Sequence, residues 1–189
     1  MVLDAPVFVT FCADFHRMKR WVELSEAPDN FDNFMSFMIA SIDAILASQN
    51  AALAAESQGL GLCYLGTTLA NCYEIGKLLN CPENMVRVVG FSLGYPDERP
   101  PERKRLPLNG IVYYETYGKY SDQEILKIYE EKETSGWDRY NQIPELKEMV
   151  EKAGVKKIAQ IYTKLKYSKE SHIEYSRVIY ECLMKKKFL

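Results

Sequence analysis

Four short apolar segments in the first 117 residues are typical of β-strands. They read VFVTFCA at 7–13, LCYL at 62–65, MVRVVGFSLG at 85–94 and IVYYETY at 111–117. The first shows no alternation of apolar and polar positions, which is the pattern of a strand buried on both faces. The pattern therefore predicts four strands, the first of them in the interior of a sheet.

A long helix is predicted over residues 33–58, with Gly59 as the glycine that ends it. Its positions are apolar on nearly all sides and include seven alanines between Ala40 and Ala55, so we expect it to be buried nearly all round. It also carries polar residues that argue against a membrane span, namely Asp43, Gln49, Asn50 and Glu56. So much burial in a chain of 189 residues indicates a subunit interface as well as a core.

Further helices are predicted after the second and fourth strands. Thr67 or Thr68 is placed to cap a helix over 69–79. Residues 121–189 have a polar helical character with many lysines and glutamates. We expect one domain, with a core over 1–120 and a helical arm over 121–189.

The net charge and the cysteine content indicate which kinds of partner and which cellular compartment to expect. The net charge of −2 favours neither nucleic acid nor an anionic membrane as a partner. The five cysteines are odd in number, widely spaced and without a CxxC pair, which is typical of reduced thiols in a cytoplasmic protein. No basic segment typical of a signal peptide opens the sequence, so we expect a cytoplasmic protein that does not associate with membranes.

The common catalytic and phosphate-binding motifs do not occur. The glycines of GLGLCYLG, residues 59–66, follow a helix, whereas the dinucleotide-binding fingerprint follows a strand. There is no P-loop and no G-x-S-x-G motif, and the two histidines have no spacing that suggests a metal site. We therefore predict no catalytic side chain and no metal.

A backbone site remains possible where the second strand ends. A strand that ends at Gly66 and is followed by a helix start exposes unpaired N–H groups. Gly66 has no Cβ, so a flat ring could lie close to its backbone. A plain strand-to-helix turn is the alternative interpretation.

Four segments of the chain together resemble the nitroreductase family of FMN-dependent NAD(P)H oxidoreductases, in its oxygen-insensitive NADPH nitroreductase and flavin reductase branch. They are APVFVTFCADFHRMKRW at 5–21, SQNAALAAESQGLGLCYLG at 48–66, VVGFSLGYPDERP at 88–100 and RKRLPLNGIVYYETY at 103–117. The resemblance implies an α+β fold with a mixed sheet flanked by helices, a buried central helix and a helical C-terminal arm. The family's N-terminal phosphate-gripping segment has no match here, so we expect either a shortened family member or part of a longer protein.

The resemblance also implies a homodimer, with the alanine-rich helix at its centre, and a bound FMN. Tyr64, Leu65, Gly66 and Thr67 would line the flavin ring, with backbone N–H groups near its N5 and O4 edge. Arg103 and Arg105 would hold the FMN phosphate or the charge of the reduced ring.

The implied activity is a ping-pong, two-electron reduction. NAD(P)H would deliver hydride to FMN, and a small-molecule acceptor such as a nitroaromatic, a quinone or a free flavin would then be reduced. A second hypothesis is a dimeric binding or scaffold protein, a family remnant that is poor in cofactor and lacks turnover.

Overall fold

Three antiparallel strands form a sheet in the order β1-β3-β2: β1 is Val7–Asp14, β2 is Gly61–Tyr64 and β3 is Met85–Gly94. They belong to a computed structural model that describes residues 4–66, 68–98, 100 and 102–189. The α+β class is confirmed. The sheet is antiparallel throughout its described strands, whereas a mixed sheet was predicted.

β1 is an edge strand of this sheet, and the prediction that it is buried on both faces is wrong. Among the described residues it pairs with β3 alone, and Val7 and Phe8 remain 46% and 50% exposed. The continuous apolar run correctly indicated a strand, but an apolar run does not reveal how many neighbours the strand has. The central place belongs to β3, which pairs with both other strands.

α1 (His16–Leu24) and α2 (Phe34–Ser57) follow β1. The Asn33 side chain accepts a hydrogen bond from the Ser36 N–H at 3.2 Å and caps the start of α2. Gly59 has a φ of 78°, the left-handed conformation that ends helices. Both predicted ends of the long helix are therefore confirmed.

The burial predicted for α2 needs correction. The side chains that α2 buries are small apart from Phe37: Ser36, Ala40, Ser41, Ala44, Ser48, Ala52 and Ala55. Its large apolar side chains are at least 40% exposed in the single chain: Phe34, Met35, Met38, Ile39, Ile42, Ile45, Leu46 and Leu53. We call this second set the exposed α2 face.

By length and composition alone, α2 could also cross a membrane, which corrects the statement that its polar residues argue against a span. It has 24 residues, and the mean hydropathy of its most apolar window is 1.4, with 33% of that window buried. A core helix of a soluble protein meets the same test, so this is weak evidence for a membrane.

The chain divides into two compact units. Residues from the N-terminal and the C-terminal parts of the sequence together build the core of the first unit. This unit comprises the described residues before 99 together with Ile173–Leu189. Its core contains Phe15, Phe37 and Val86 as well as Leu183 and Phe188, and the rings of Phe37 and Phe188 lie 5.5 Å apart. The last helix, α7 (Lys169–Lys185), thus leads back into the core, whereas an arm was predicted.

Polar contacts fix the end of α7 to the turn before β3. The Lys186 ammonium donates to the carbonyls of Cys81 and Pro82, and the Asn84 amide donates to the Lys187 carbonyl at 2.8 Å. Helix α3 (Cys72–Leu78) leads into this turn. These bonds join segments about a hundred residues apart in sequence.

The second unit, Pro100–His172, is helical, with α4 (Asp122–Gln142), α5 (Pro144–Ala153) and α6 (Ile158–Ile161), followed by a π-helical turn at Tyr162–Lys166. Ser121 and Glu124 form a reciprocal capping box at the start of α4. The core of this unit consists of Tyr140, Val150, Val155, Ile158 and Ile161.

The fourth predicted strand does not form. Residues 111–117 are turns and bends that follow a 3₁₀ turn at Leu108–Gly110. Their aromatic side chains pack locally, with the rings of Tyr113 and Tyr117 4.5 Å apart. The division of a single domain at residue 120 stays a prediction.

Candidate functional site

Tyr64 ends β2 with its side chain held on two sides. Its hydroxyl donates to the Ser48 hydroxyl of α2 at 3.2 Å, and its ring meets the Phe91 ring edge-on at 5.3 Å. The side chain is nevertheless 39% exposed. This arrangement presents part of a fixed aromatic ring at the open end of the strand.

The backbone after Tyr64 is partly paired. The Leu65 N–H donates to the Gly90 carbonyl at 3.0 Å. It is therefore not free for a ligand, which corrects the prediction of unpaired N–H groups at this residue. Gly66 is exposed, and no described residue other than its chain neighbours comes within 4 Å of where a Cβ would lie. Thr67, also predicted to line the ring, lies outside the described residues. Gly66 is therefore exposed backbone with open space beside it, and its contact with a flat ring stays a prediction.

Thr68 does not cap the following helix. Its hydroxyl donates to the Leu65 carbonyl, and the N-terminus of the next segment receives no side-chain cap from it. The chain passes through a 3₁₀ turn at Leu69–Asn71 before α3 begins at Cys72. The predicted continuous helix over 69–79 is thus shorter and begins later, and Thr68 closes the turn that contains Gly66.

Arg87 lies beneath this turn and was not identified from the sequence. It is on the central strand β3, is 6% exposed, and its Nη2 donates to the Thr68 hydroxyl at 3.4 Å. Its Nε has no hydrogen-bond partner among the described residues. The sequence could have indicated Arg87, because it is a charged residue within the apolar run MVRVVGF. A charge buried in such a strand needs a specific partner.

Arg103 and Arg105 belong to the second unit, whereas Tyr64, Leu65 and Gly66 belong to the first. Both arginines are exposed and form no ion pair with a described residue. Lys104 between them pairs with Glu131 at 2.8 Å. The two arginines are therefore available to bind an anion. Each unit contributes its own set of predicted site residues.

Among the described residues, no cluster that could hold a metal forms, and the thiols of Cys12 and Cys182 are not activated. No group of three His, Cys, Asp or Glu side chains could hold a metal there. Burial raises the pKa of Cys12 to about 11, so its thiol stays protonated at neutral pH. A hydrogen bond to Cys72, together with burial, raises the pKa of Cys182 and keeps that thiol protonated as well.

Comparison with known proteins agrees with this fold. The model of the nitroreductase family matches residues 2–95. An FMN reductase [NAD(P)H] of Bacillus subtilis is 32% identical in an alignment of 175 positions that covers 81% of this chain and 70% of that protein. An FMN reductase (NADPH) of the same organism is 33% identical in an alignment of 120 positions that covers 61% of this chain and 47% of that protein.

A crystal structure of a Bacteroides fragilis protein superposes with a TM-score of 0.86 at 33% identity, covering 98% of this chain and 72% of that one. The chain thus spans from about half to somewhat over two thirds of the length of these relatives. From the family model and the Bacillus subtilis relative of which it covers 70%, the chain belongs to the nitroreductase family.

Proposed function

We propose that this chain is an FMN-dependent oxidoreductase that uses NAD(P)H to reduce small acceptors such as nitroaromatics, quinones or flavins. The observation that carries the proposal is the exposed backbone at Gly66, which has open space beside it. Two residues earlier in the chain, the Tyr64 side chain is fixed by its hydrogen bond to Ser48. The Bacillus subtilis relatives named FMN reductase support the choice of cofactor.

The described residues fit FMN. When bound, FMN supplies the two-electron chemistry, and the protein contributes binding and electrostatics. Gly66 offers a surface without a side chain for a flat ring, and Arg103 and Arg105 offer unpaired cations for a phosphate or a reduced ring. This division of labour accounts for the lack of an acid–base pair among the described side chains.

The chain's own residues would orient the ring and leave one face of it accessible. The bonds of Tyr64 to α2 and the packing of its ring on Phe91 fix the wall beside Gly66. NAD(P)H and the electron acceptor would then use the accessible face in turn, which is a ping-pong order. Steady-state rates measured at several acceptor concentrations should therefore give parallel double-reciprocal lines.

Uptake of FMN separates the enzyme from a scaffold remnant without turnover. The purified chain should turn yellow with added FMN, retain the flavin through gel filtration and oxidise NAD(P)H when an acceptor is added. A colourless protein that takes up no FMN would refute the proposal and favour the scaffold.

Removing either unpaired arginine should weaken FMN binding. Loss of one charge-assisted hydrogen bond is worth about 1.5–3 kcal/mol, or about ten- to a hundredfold in the dissociation constant. We expect this for Arg105→Ala, and a smaller effect for Arg103→Ala if that residue meets the ring. Fluorescence titration with FMN measures both.

Lys104→Ala is the matched control, because Lys104 lies between the two arginines but is already paired with Glu131. Its FMN affinity should stay within a few-fold of that of the wild type. Equal affinities for all three variants and the wild type would show that the segment is a solvated loop.

We also propose that the active form is a homodimer built on the exposed α2 face, and that it resides in the cytoplasm. Eight large apolar side chains on one helix are more than a solvated surface usually exposes together. All five cysteines are free thiols, which fits a reducing compartment.

A further inference from the structure

We infer that Arg87 is a positioning residue that fixes Thr68 to Leu65 and thereby holds Gly66 in place. The ordering of the turn is a property of the FMN-free chain, and its consequence for FMN rests on the proposed function. Arg87 acts through Thr68 and needs no contact with the cofactor.

Both backbone groups of Leu65 form hydrogen bonds. The Leu65 N–H donates to the carbonyl of Gly90 in β3, and the Leu65 carbonyl accepts from the Thr68 hydroxyl. A threonine hydroxyl has one hydrogen, and here that hydrogen goes to Leu65. The lone pairs of the oxygen remain, and Arg87 donates to them. A charged donor strengthens such a chain of hydrogen bonds, because it polarises the hydroxyl toward its own acceptor.

The strand makes room for this guanidinium at Gly90. A Cβ on Gly90 would lie 3.1 Å from Nη2 of Arg87 and 2.8 Å from the carbonyl oxygen of Val9. Gly90 also supplies the carbonyl that accepts from Leu65. One glycine therefore admits the arginine and anchors the turn that the arginine supports.

Stability alone does not account for an arginine at this position. Burial lowers the pKa of Arg87 because it disfavours the charged form, and its Nε is unpaired among the described residues. An apolar side chain of similar length in such a place is often neutral or stabilising. We therefore expect Arg87→Met to leave the melting temperature unchanged or raised, while it loosens the turn.

Hydrogen exchange of the FMN-free full chain tests this directly. In Arg87→Met the Leu65 amide, which donates to the Gly90 carbonyl, should exchange at least about fivefold faster, while the amides of β3 keep their protection. Thr68→Val, which keeps the shape and removes the hydroxyl, should have the same effect, and Thr68→Ser should restore slow exchange. The double variant Arg87→Met/Thr68→Val should exchange no faster than either single variant, because the two residues belong to one chain of bonds.

FMN titration of the same proteins provides the second measurement. Arg87→Met and Thr68→Val should bind FMN about tenfold more weakly, and Thr68→Ser should bind it like the wild type. Unchanged exchange of the Leu65 amide in Arg87→Met would overturn the inference, and so would faster exchange throughout the first unit together with a lower melting temperature. A wild-type chain that binds no FMN would refute the proposed function, while the exchange comparison would still decide the role of Arg87.

Discussion

Gly66→Val should abolish FMN binding and leave the FMN-free protein as stable as the wild type. The new side chain has room, because no described residue other than its chain neighbours has an atom within 4 Å of a Cβ at this position. Its backbone is also permissive, since Gly66 is not among the described glycines with positive φ. The same side chain would occupy the space of a ring lying against the backbone. Paired measurements of melting temperature and FMN titration test the expectation.

Gly59→Val is the matched contrast. A Cβ there also meets nothing within 4 Å, but Gly59 has a φ of 78°, which strains a β-branched residue. This variant should lose stability and retain FMN affinity in its folded fraction. Normal FMN titration of Gly66→Val would show that the ring does not lie at Gly66.

Leu46→Glu should convert the proposed dimer into a folded monomer. Leu46 is 60% exposed in the single chain and lies on the exposed α2 face one helical turn from Ile42. A glutamate is well solvated on a surface exposed to water, but burying its unpaired carboxylate in a dimer interface costs several kcal/mol. Light scattering should therefore give half the wild-type mass, while circular dichroism retains the helical signal.

Leu78→Glu is the control for this experiment, because Leu78 is 79% exposed on α3, away from the proposed interface. It should remain a dimer. Ala55→Glu should instead unfold the chain, because Ala55 is 7% exposed and already packed within its own unit. A Leu46→Glu protein that keeps the wild-type mass at the same concentration would place the dimer contact elsewhere or rule it out.

The elements that the sequence predicted well are those with local signals. The ends of α2 follow from Asn33 and Gly59, whose conformations depend on their nearest neighbours. β3 has the predicted bounds, because its apolar run is long and bounded by turn residues. These signals need no knowledge of distant contacts.

The errors concern partners that are distant in sequence. The hydrophobicity of residues 111–117 indicated a strand. Instead, the rings of Tyr113 and Tyr117 pack on each other, and the backbone of this segment pairs with no strand in the described part of the chain. The Arg87–Thr68 bond joins residues 19 positions apart, and neither residue alone indicates it. Gly66 could be predicted because the absence of a side chain is visible in the sequence itself.

The place of Phe188 in the first core affects the order in which the molecule can assemble during translation. Every other aromatic member of that core lies before residue 38, yet Phe188 is fully buried among them. A ribosome releases the whole second unit before it releases Phe188, so the first unit must wait with part of its core exposed while the second can already fold. The nascent first unit is therefore the species that chaperones would be expected to meet.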